Sequence, residues 1–402
     1  MSEFLEKFPE REKLLEWYVK KGSGSIPDVN AHIHTPWSFS AFDDPEQAFI
    51  QASEEKVTVL GINDFNTTRG YDSFFKLGMT YRIFPLFNIE FMGLMREEQK
   101  NGVRINDPGN PGRIYFSGKG LDYPVSMGKG SADRLVRLRE EGHRQVRQMT
   151  AKLNRHLKSV DGNLQLDFDE VERRYTKGMV RERHIARALR ILVYDRYPSP
   201  EDRSEFLGRL FGVEPSSPAE NEAAVENEIR SRLLKSGGAA FVEEDQHAFP
   251  GLDEIISVIT DAGGIPCYPV LLDDQKGTLT EFEADPEKLC GSLRSRNVSC
   301  VELIPGRNDI RQLRSFVSFF RERGFVILFG TEHNTPAAQP LRVSARGGVP
   351  LDDELRAVNY EGACVIAAHQ YLRAKGEEGY PSLKRSGAAN LGKAVIEYFG
   401  KK

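Results

Sequence analysis

The stretch Asp28-Val-Asn-Ala-His32-Ile-His34-Thr-Pro-Trp-Ser38 decides how the rest of the chain is read. Ile26, Val29 and Ile33 give it the β-branched, apolar character of a strand. Residues two apart on a strand share a face, so the imidazoles of His32 and His34 project together at its end. Two neutral imidazoles held side by side are the start of a divalent-metal site. The pair alone is a weak signal, because surface or hydrogen-bonded histidines satisfy it equally well. Its weight comes from what the later segments supply.

Working outward, apolar positions at Leu5, Phe8, Leu14, Leu15, Tyr18 and Val19 predict a helix over residues 4–21, broken by Gly22-Ser-Gly-Ser-Ile-Pro. Asp44-Pro45 opens a helix to about residue 55. Buried strands follow over 57–62 and 83–89, with a helix over 68–77 between them. Such alternation predicts parallel β/α units. Residues 96–129, rich in Gly, Asn and Pro, read as a long loop or irregular hairpin. A long charged helix is expected over 131–157, and helical signals continue through 168–236. From Pro250 the alternation resumes, with strands expected at 263–268, 298–304 and 326–330, and closing helices near 351–373 and 387–399. Neither block has enough strands to close a sheet alone. The expected architecture is therefore one α/β barrel in which residues 1–94 form the first part, 95–249 a mainly helical insertion, and 250–402 the second part with C-terminal helices.

Composition excludes more than it assigns. The 402 residues carry 55 basic and 59 acidic side chains, a net charge of −4 that argues against a broad nucleic-acid surface. No apolar run approaches the roughly 18 residues needed to span a bilayer, so no membrane partner is expected. Met1-Ser-Glu-Phe-Leu-Glu-Lys lacks an apolar signal core. Cys267, Cys290, Cys300 and Cys364 show no metal or redox spacing and read as reduced thiols of a cytoplasmic protein. The oligomeric state is left open.

In a β/α barrel the chemistry sits where the parallel strands end. Those ends carry His32 and His34, Asn63-Asp64-Phe65-Asn66, Asn88-Ile-Glu90, Cys267-Tyr268-Pro, Glu302, and Thr331-Glu332-His333-Asn334. Asp64 is the kind of acceptor that orients a ligand imidazole. Glu302 orients a ligand or makes a cap or ion pair, and both readings stay open. Tyr268 is a partly buried aromatic, a phenolate ligand or a donor to a substrate oxygen, and these readings stay open. His184 is a ligand or a packed helix residue, and Arg183 and Arg187 are fork-like phosphate contacts or solubilising arginines.

These residues, taken together, resemble the PHP family of metal-dependent phosphoesterases. His32-Ile-His34-Thr-Pro-Trp-Ser38 matches its opening His-x-His-Thr/Ser-x-x-Ser. Asn63-Asp64-Phe65-Asn66-Thr67 lines up with Thr-Asp-His-Asp-Thr, and Asn88-Ile-Glu90 with Gly-Ile-Glu. The branch with a helical insertion carries Arg-Pro-His-Ile-Ala-Arg-Ala-Leu, where this chain has Arg183-His184-Ile-Ala-Arg-Ala-Leu189. Ala262-Gly-Gly-Ile-Pro-Cys-Tyr268-Pro and Gly330-Thr-Glu332-His333-Asn334 match the last two motifs. The resemblance implies a distorted seven-stranded β/α barrel with a helical insertion and up to three divalent metals. It implies a first metal on His32, His34, Glu90 and Glu332, and a second sharing Glu90 and adding His184. Tyr268 replaces the other histidine of the second site. Phe65 and Asn334 replace two ligands of the third, with His333 one place early.

The expected cofactor is one or two divalent ions per chain, Zn or Mn, with Fe or Mg as alternatives. Asp64, Arg183 and Tyr268 are the expected catalytic side chains beside the metal ligands His32, His34, Glu90, His184, Glu332 and His333. No P-loop, dinucleotide fingerprint or Gly-x-Ser-x-Gly elbow points elsewhere. The function expected is hydrolysis of a small phosphorylated metabolite or nucleotide by metal-activated water. The alternative is a non-catalytic relative acting as a binding or regulatory module with at most one structural metal; a third possibility is lyase or isomerase chemistry on a sugar acid. Fold alone does not choose among them.

Overall fold

The computed structural model describes residues 3–22, 24–274, 277–334 and 339–401. Seven strands form one sheet in chain order: β1 (Asp28–Ile33), β2 (Val57–Phe65), β3 (Phe84–Leu94), β4 (Arg113–Lys119), β5 (Ile265–Val270), β6 (Cys300–Leu303) and β7 (Val326–Phe329). β1 to β3 are parallel, β4 is antiparallel to both neighbours, and β5 to β7 are parallel again. A parallel bridge between Ile33 and Glu332 joins the end of β1 to the chain just beyond β7. The sheet thus curls into a nearly closed, distorted β/α barrel, the architecture that the alternation and the resemblance predict.

The helices between strands start where local chemistry lets them. Pro45–Glu54 is capped by Asp44, whose side chain accepts from Glu46 N, with Pro45 at the first position. Asp285 and Asp309 cap Pro286–Arg294 and Ile310–Glu322 in the same way. These helices and Leu252–Asp261 cover the outward rows of the strands, including Leu60 and Ile62 of β2, Phe87 and Ile89 of β3, and Leu303 of β6.

The inward rows decide where the site lies. With a period of two, β2 presents Val59, Gly61, Asn63 and β3 presents Phe84, Leu86, Asn88, Glu90. Each row turns from apolar to polar along the strand. The apolar end packs on the helices Asp353–Ala374 and Arg385–Lys401. Gly362 to Leu372 of the first are buried at every position, as befits a helix enclosed on all sides. Gly392 allows the two helices to touch, since a Cβ there would stand 1.7 Å from the Cys364 carbonyl oxygen. Each fully buried Phe or Leu of this plug contributes about 1.5–3 kcal/mol. The polar end is left for chemistry.

Residues 129–234 form a set of helices, Lys129–Val160, Phe168–Tyr175, Glu182–Arg196, Pro200–Phe211 and Glu222–Ile229, followed by a π-helical turn at Arg230–Leu234. They bury a core of their own around Leu153, Leu157, Ile185, Leu189, Phe206 and Leu233. One part of the 95–249 segment belongs to the barrel instead: β4 pairs with β3 on one side and β5 on the other. Of the two readings of 96–129, the hairpin is thus the closer. Gly112 and Gly120, both at positive φ, bound the strand and disguise it in the composition. Among the described residues no helix is long and apolar enough to cross a membrane.

Candidate functional site

His32 and His34 sit at the end of β1, fully buried, with their Nε2 atoms 3.3 Å apart. Glu90, on the polar part of the inward row of β3, brings Oε2 to 3.3 Å from His34 Nε2 and 3.8 Å from His32 Nε2. Two donors each about 2.1 Å from a tetrahedral ion stand about 3.4 Å apart, so these three atoms have the spacing of a metal's ligand set. Among the described residues they are the one group of three or more His, Cys, Asp or Glu whose ligand atoms all lie within 4.8 Å of one another.

The surroundings hold the group in a metal-ready state. Glu302, on the inward face of β6, accepts from His32 Nδ1 at 3.1 Å. Burial works against its ionisation, but Lys119 and His32 hold the Glu302 carboxyl well below the usual carboxylate range. The His32 proton therefore sits on Nδ1, and the Nε2 lone pair faces His34. Lys119 Nζ, fully buried on β4, donates to the same Glu302 oxygen at 2.5 Å and Ser117 Oγ to the other at 2.6 Å. Asn63 completes the network, accepting from Lys119 at 3.2 Å and donating to Ser117 at 3.2 Å. Burial lowers the His34 imidazole to about 4, so it is neutral, as a ligand must be. Burial raises the Glu90 carboxyl to about 8; His32 opposes the rise, and Glu332 and Glu302 add to it. Asn63 Nδ2 also stands 3.0 Å from His32 Nε2, and a cation between the two facing imidazole nitrogens would take over that lone pair and relieve the buried carboxylates. The donor set fits a divalent metal.

Asp64 lies behind the group. Its carboxylate accepts from Thr35 N at 2.7 Å, Thr35 Oγ1 at 2.5 Å and Ser38 Oγ at 2.6 Å, and Ser38 Oγ also stands 3.4 Å from His34 Nδ1. Burial raises its pKa, with His34, Ser38 and Thr35 opposing. It orders the turn that carries His34. Phe65 stacks on the His34 ring at 4.8 Å and 14°, and the Arg181 guanidinium lies 4.9 Å above the other ring. Gly330 lets the end of β7 pass close by, since a Cβ there would stand 2.3 Å from His32 Cβ.

Other expected residues stand apart from the three. Glu332 lines the same cavity, but its carboxylate accepts from Arg307 and, at 2.6 Å, from Asn334 Nδ2. Glu332 and His333 have φ of 65° and 53°, a left-handed turn that aims their side chains apart from the strand direction. His333 is bonded at both ring nitrogens, to Thr331 Oγ1 at 2.7 Å and the Gln339 carbonyl at 2.9 Å. His184 spends its Nδ1 on the Arg181 backbone N–H at 2.9 Å, closing the first turn of Glu182–Arg196, and burial lowers its pKa to about 3. Tyr268 is fully buried on the outward face of β5 and donates to Glu283 at 2.7 Å. Arg183 does line the cavity, over the Phe39 ring at 5.3 Å.

The cavity at this end holds about 350 Å³, and its walls include His32, Glu90, Phe65, Arg181, Arg183 and Glu302. Lys119 and Ser117 are the participants that sequence reasoning passed over. Their two-residue spacing within Arg-Ile-Tyr-Phe-Ser-Gly-Lys, with Ile114 and Phe116 facing the other way, is the signal that would have found them.

No protein-family model matches the chain, and a search of curated proteins finds no match. Solved structures share its fold. A Bifidobacterium adolescentis protein named as a candidate metal-dependent phosphoesterase aligns with a TM-score of 0.53 at 15% identity, covering 84% of this chain and 96% of that one. An amidohydrolase from Chromobacterium violaceum, solved with bound sulfate and no metal, aligns with a TM-score of 0.53 at 16% identity, covering 82% and 96%. At such identities the likeness speaks for the barrel.

Proposed function

We propose that the chain is a metal-dependent hydrolase of small phosphate esters, a metabolite or nucleotide, built on the barrel of the PHP family and holding one divalent ion at His32, His34 and Glu90. The observation that carries this reading is the spacing of those three donor atoms, 3.3–3.8 Å, with the His32 tautomer fixed from behind by Glu302. Two imidazoles and a carboxylate suit Zn, Mn or Fe better than Mg, which prefers oxygen. Such an ion, when bound, supplies Lewis-acid polarisation of the ester and acidification of water. The chain's own residues do the positioning: Glu302 and Lys119 orient His32, Asp64 orders the His34 turn, and Arg181, over the Phe65 ring, puts positive charge on the wall of the same cavity. The cavity of about 350 Å³ falls at the small end of ligand sites. Four buried, unpaired cysteines suit a reducing, cytoplasmic setting.

A second reading has its own observation. Glu332, His184 and His333 are all engaged in structural hydrogen bonds, which favours a binding module with a single metal. A screen of phosphomonoesters against protein reloaded with Mn, Zn, Fe or Mg separates the two. Turnover that His32→Ala with His34→Ala abolishes supports the hydrolase. Folded, metal-loaded protein that turns over none of them leaves the binding module.

A further inference from the structure

The wall of the cavity contributed by the helical insertion carries more cations than it has carboxylates to match. Arg181, Arg183, Arg230 and Lys235 all line it. Glu182 is the acid among them, accepting from Arg230 Nε at 3.0 Å and facing Lys235 Nζ at 3.2 Å and Arg181 Nε at 3.9 Å. The remaining lining charges are matched locally: Arg113 meets Glu244, and Arg307 meets Glu332. Arg183 is the exception. Its Nη1 is buried and meets no acceptor among the described residues. A buried donor left unpaired is costly, more so when charged, and a bound anion would relieve it. Burial, and then the like charge of Arg230, push the Arg183 guanidinium down to about 10. Arg230 opens and Lys235 directly follows the π-helical turn Arg230–Leu234 at this wall, and such turns gather at functional sites. Arg181, as N-cap of Glu182–Arg196, offers no acceptor to the first turn, so the helix field there also favours negative charge.

We propose that this wall is an anion subsite in which Arg183, with Arg230 and Lys235, holds a second acidic group of the substrate, a phosphate or a carboxylate. The inference rests on the hydrolase reading for the ester end: the scissile phosphate lies at His32, His34 and Glu90, and the second anion lies under the insertion. The substrate class is then a small phosphate ester bearing another acid, and a neutral alcohol phosphate fills the site poorly. Arg183 acts here as a binding residue through paired N–H donors, which a lysine does not reproduce.

The test uses the full-length protein freed of metal by chelator, so that it does not depend on catalysis. Calorimetric titration with inorganic phosphate and, separately, with malonate at fixed ionic strength reads the subsite directly. Wild type should bind at least one of the two, and which one it binds tells phosphate from carboxylate. Arg183→Gln should weaken that binding about tenfold or more, the scale of a lost charge-assisted hydrogen bond. His32→Ala with His34→Ala should bind as wild type does. If Arg183→Gln fails to give a cooperative melt, Arg230→Gln carries the same expectation. The proposal is overturned if wild type binds neither anion at tens of millimolar, if the arginine variants bind as tightly as wild type, or if the double histidine variant abolishes binding. Anion binding without any phosphatase turnover would retain the subsite and remove the hydrolase.

Discussion

His32 Nδ1 donates to Glu302 at 3.1 Å, and the oxygen that receives it also takes Lys119 Nζ at 2.5 Å. A strand from one block of the barrel thus sets the tautomer of a ligand from the other, through a lysine on a third. Glu302→Gln keeps the shape but loses the charge that fixes the Nδ1 proton. Metal affinity should fall about 10- to 100-fold, read by metal titration, while the fold is kept. Lys119→Met leaves Glu302 buried without its cation and should cost about 3–5 kcal/mol in urea unfolding. A variant of either kind that binds metal and unfolds as wild type does would remove this network from the account.

Gly330 makes a second claim about the same histidine. A methyl group at 330 would meet His32 Cβ at 2.3 Å and His32 N at 2.8 Å, so the clash is with the strand itself. Gly330→Ala should destabilise by about 1–3 kcal/mol and weaken metal binding by shifting His32. Thermal melts and metal titration, run together, check both. Unchanged values for both would show that the strand ends are looser than the packing states.

Away from the metal group, Glu283 gives a pH signature. It accepts from Tyr268 Oη, Leu271 N and Leu272 N, yet burial still raises its carboxyl from 4.5 to about 7. The folded state holds this proton more tightly than the unfolded chain. The contribution is therefore complete below about pH 4.5 and is lost as pH rises through 7, at most about 3 kcal/mol. Glu283→Gln cannot ionise and should flatten that part of the stability profile. Urea midpoints measured from pH 4.5 to 8 would contradict this if the two profiles ran parallel.

The residues that the sequence made legible are those on parallel strands, where an apolar run delivers a polar group to one end. His32, His34, Glu90 and Glu302 were found on that logic, and the barrel follows from the same alternation. Lys119 was not, because β4 runs antiparallel between two glycines inside a stretch whose Gly, Asn and Pro content reads as loop. His184 keeps a motif-like setting, but a histidine at the third position of a helix can satisfy the cap as well as a metal, and only coordinates separate the two uses. Glu332 and His333 share the same difficulty: their direction depends on two consecutive left-handed residues, which no spacing reports. Tyr268 fell on the outward side of its strand, a matter of register at β5 that a single Gly-Gly-Ile-Pro entry leaves open.

The most direct test is the metal content of the protein after purification without chelator and back-titration with Zn or Mn. One ion per chain should bind to wild type, and His32→Ala with His34→Ala should bind none while melting cooperatively. Equal metal in wild type and in the folded double variant would contradict the account.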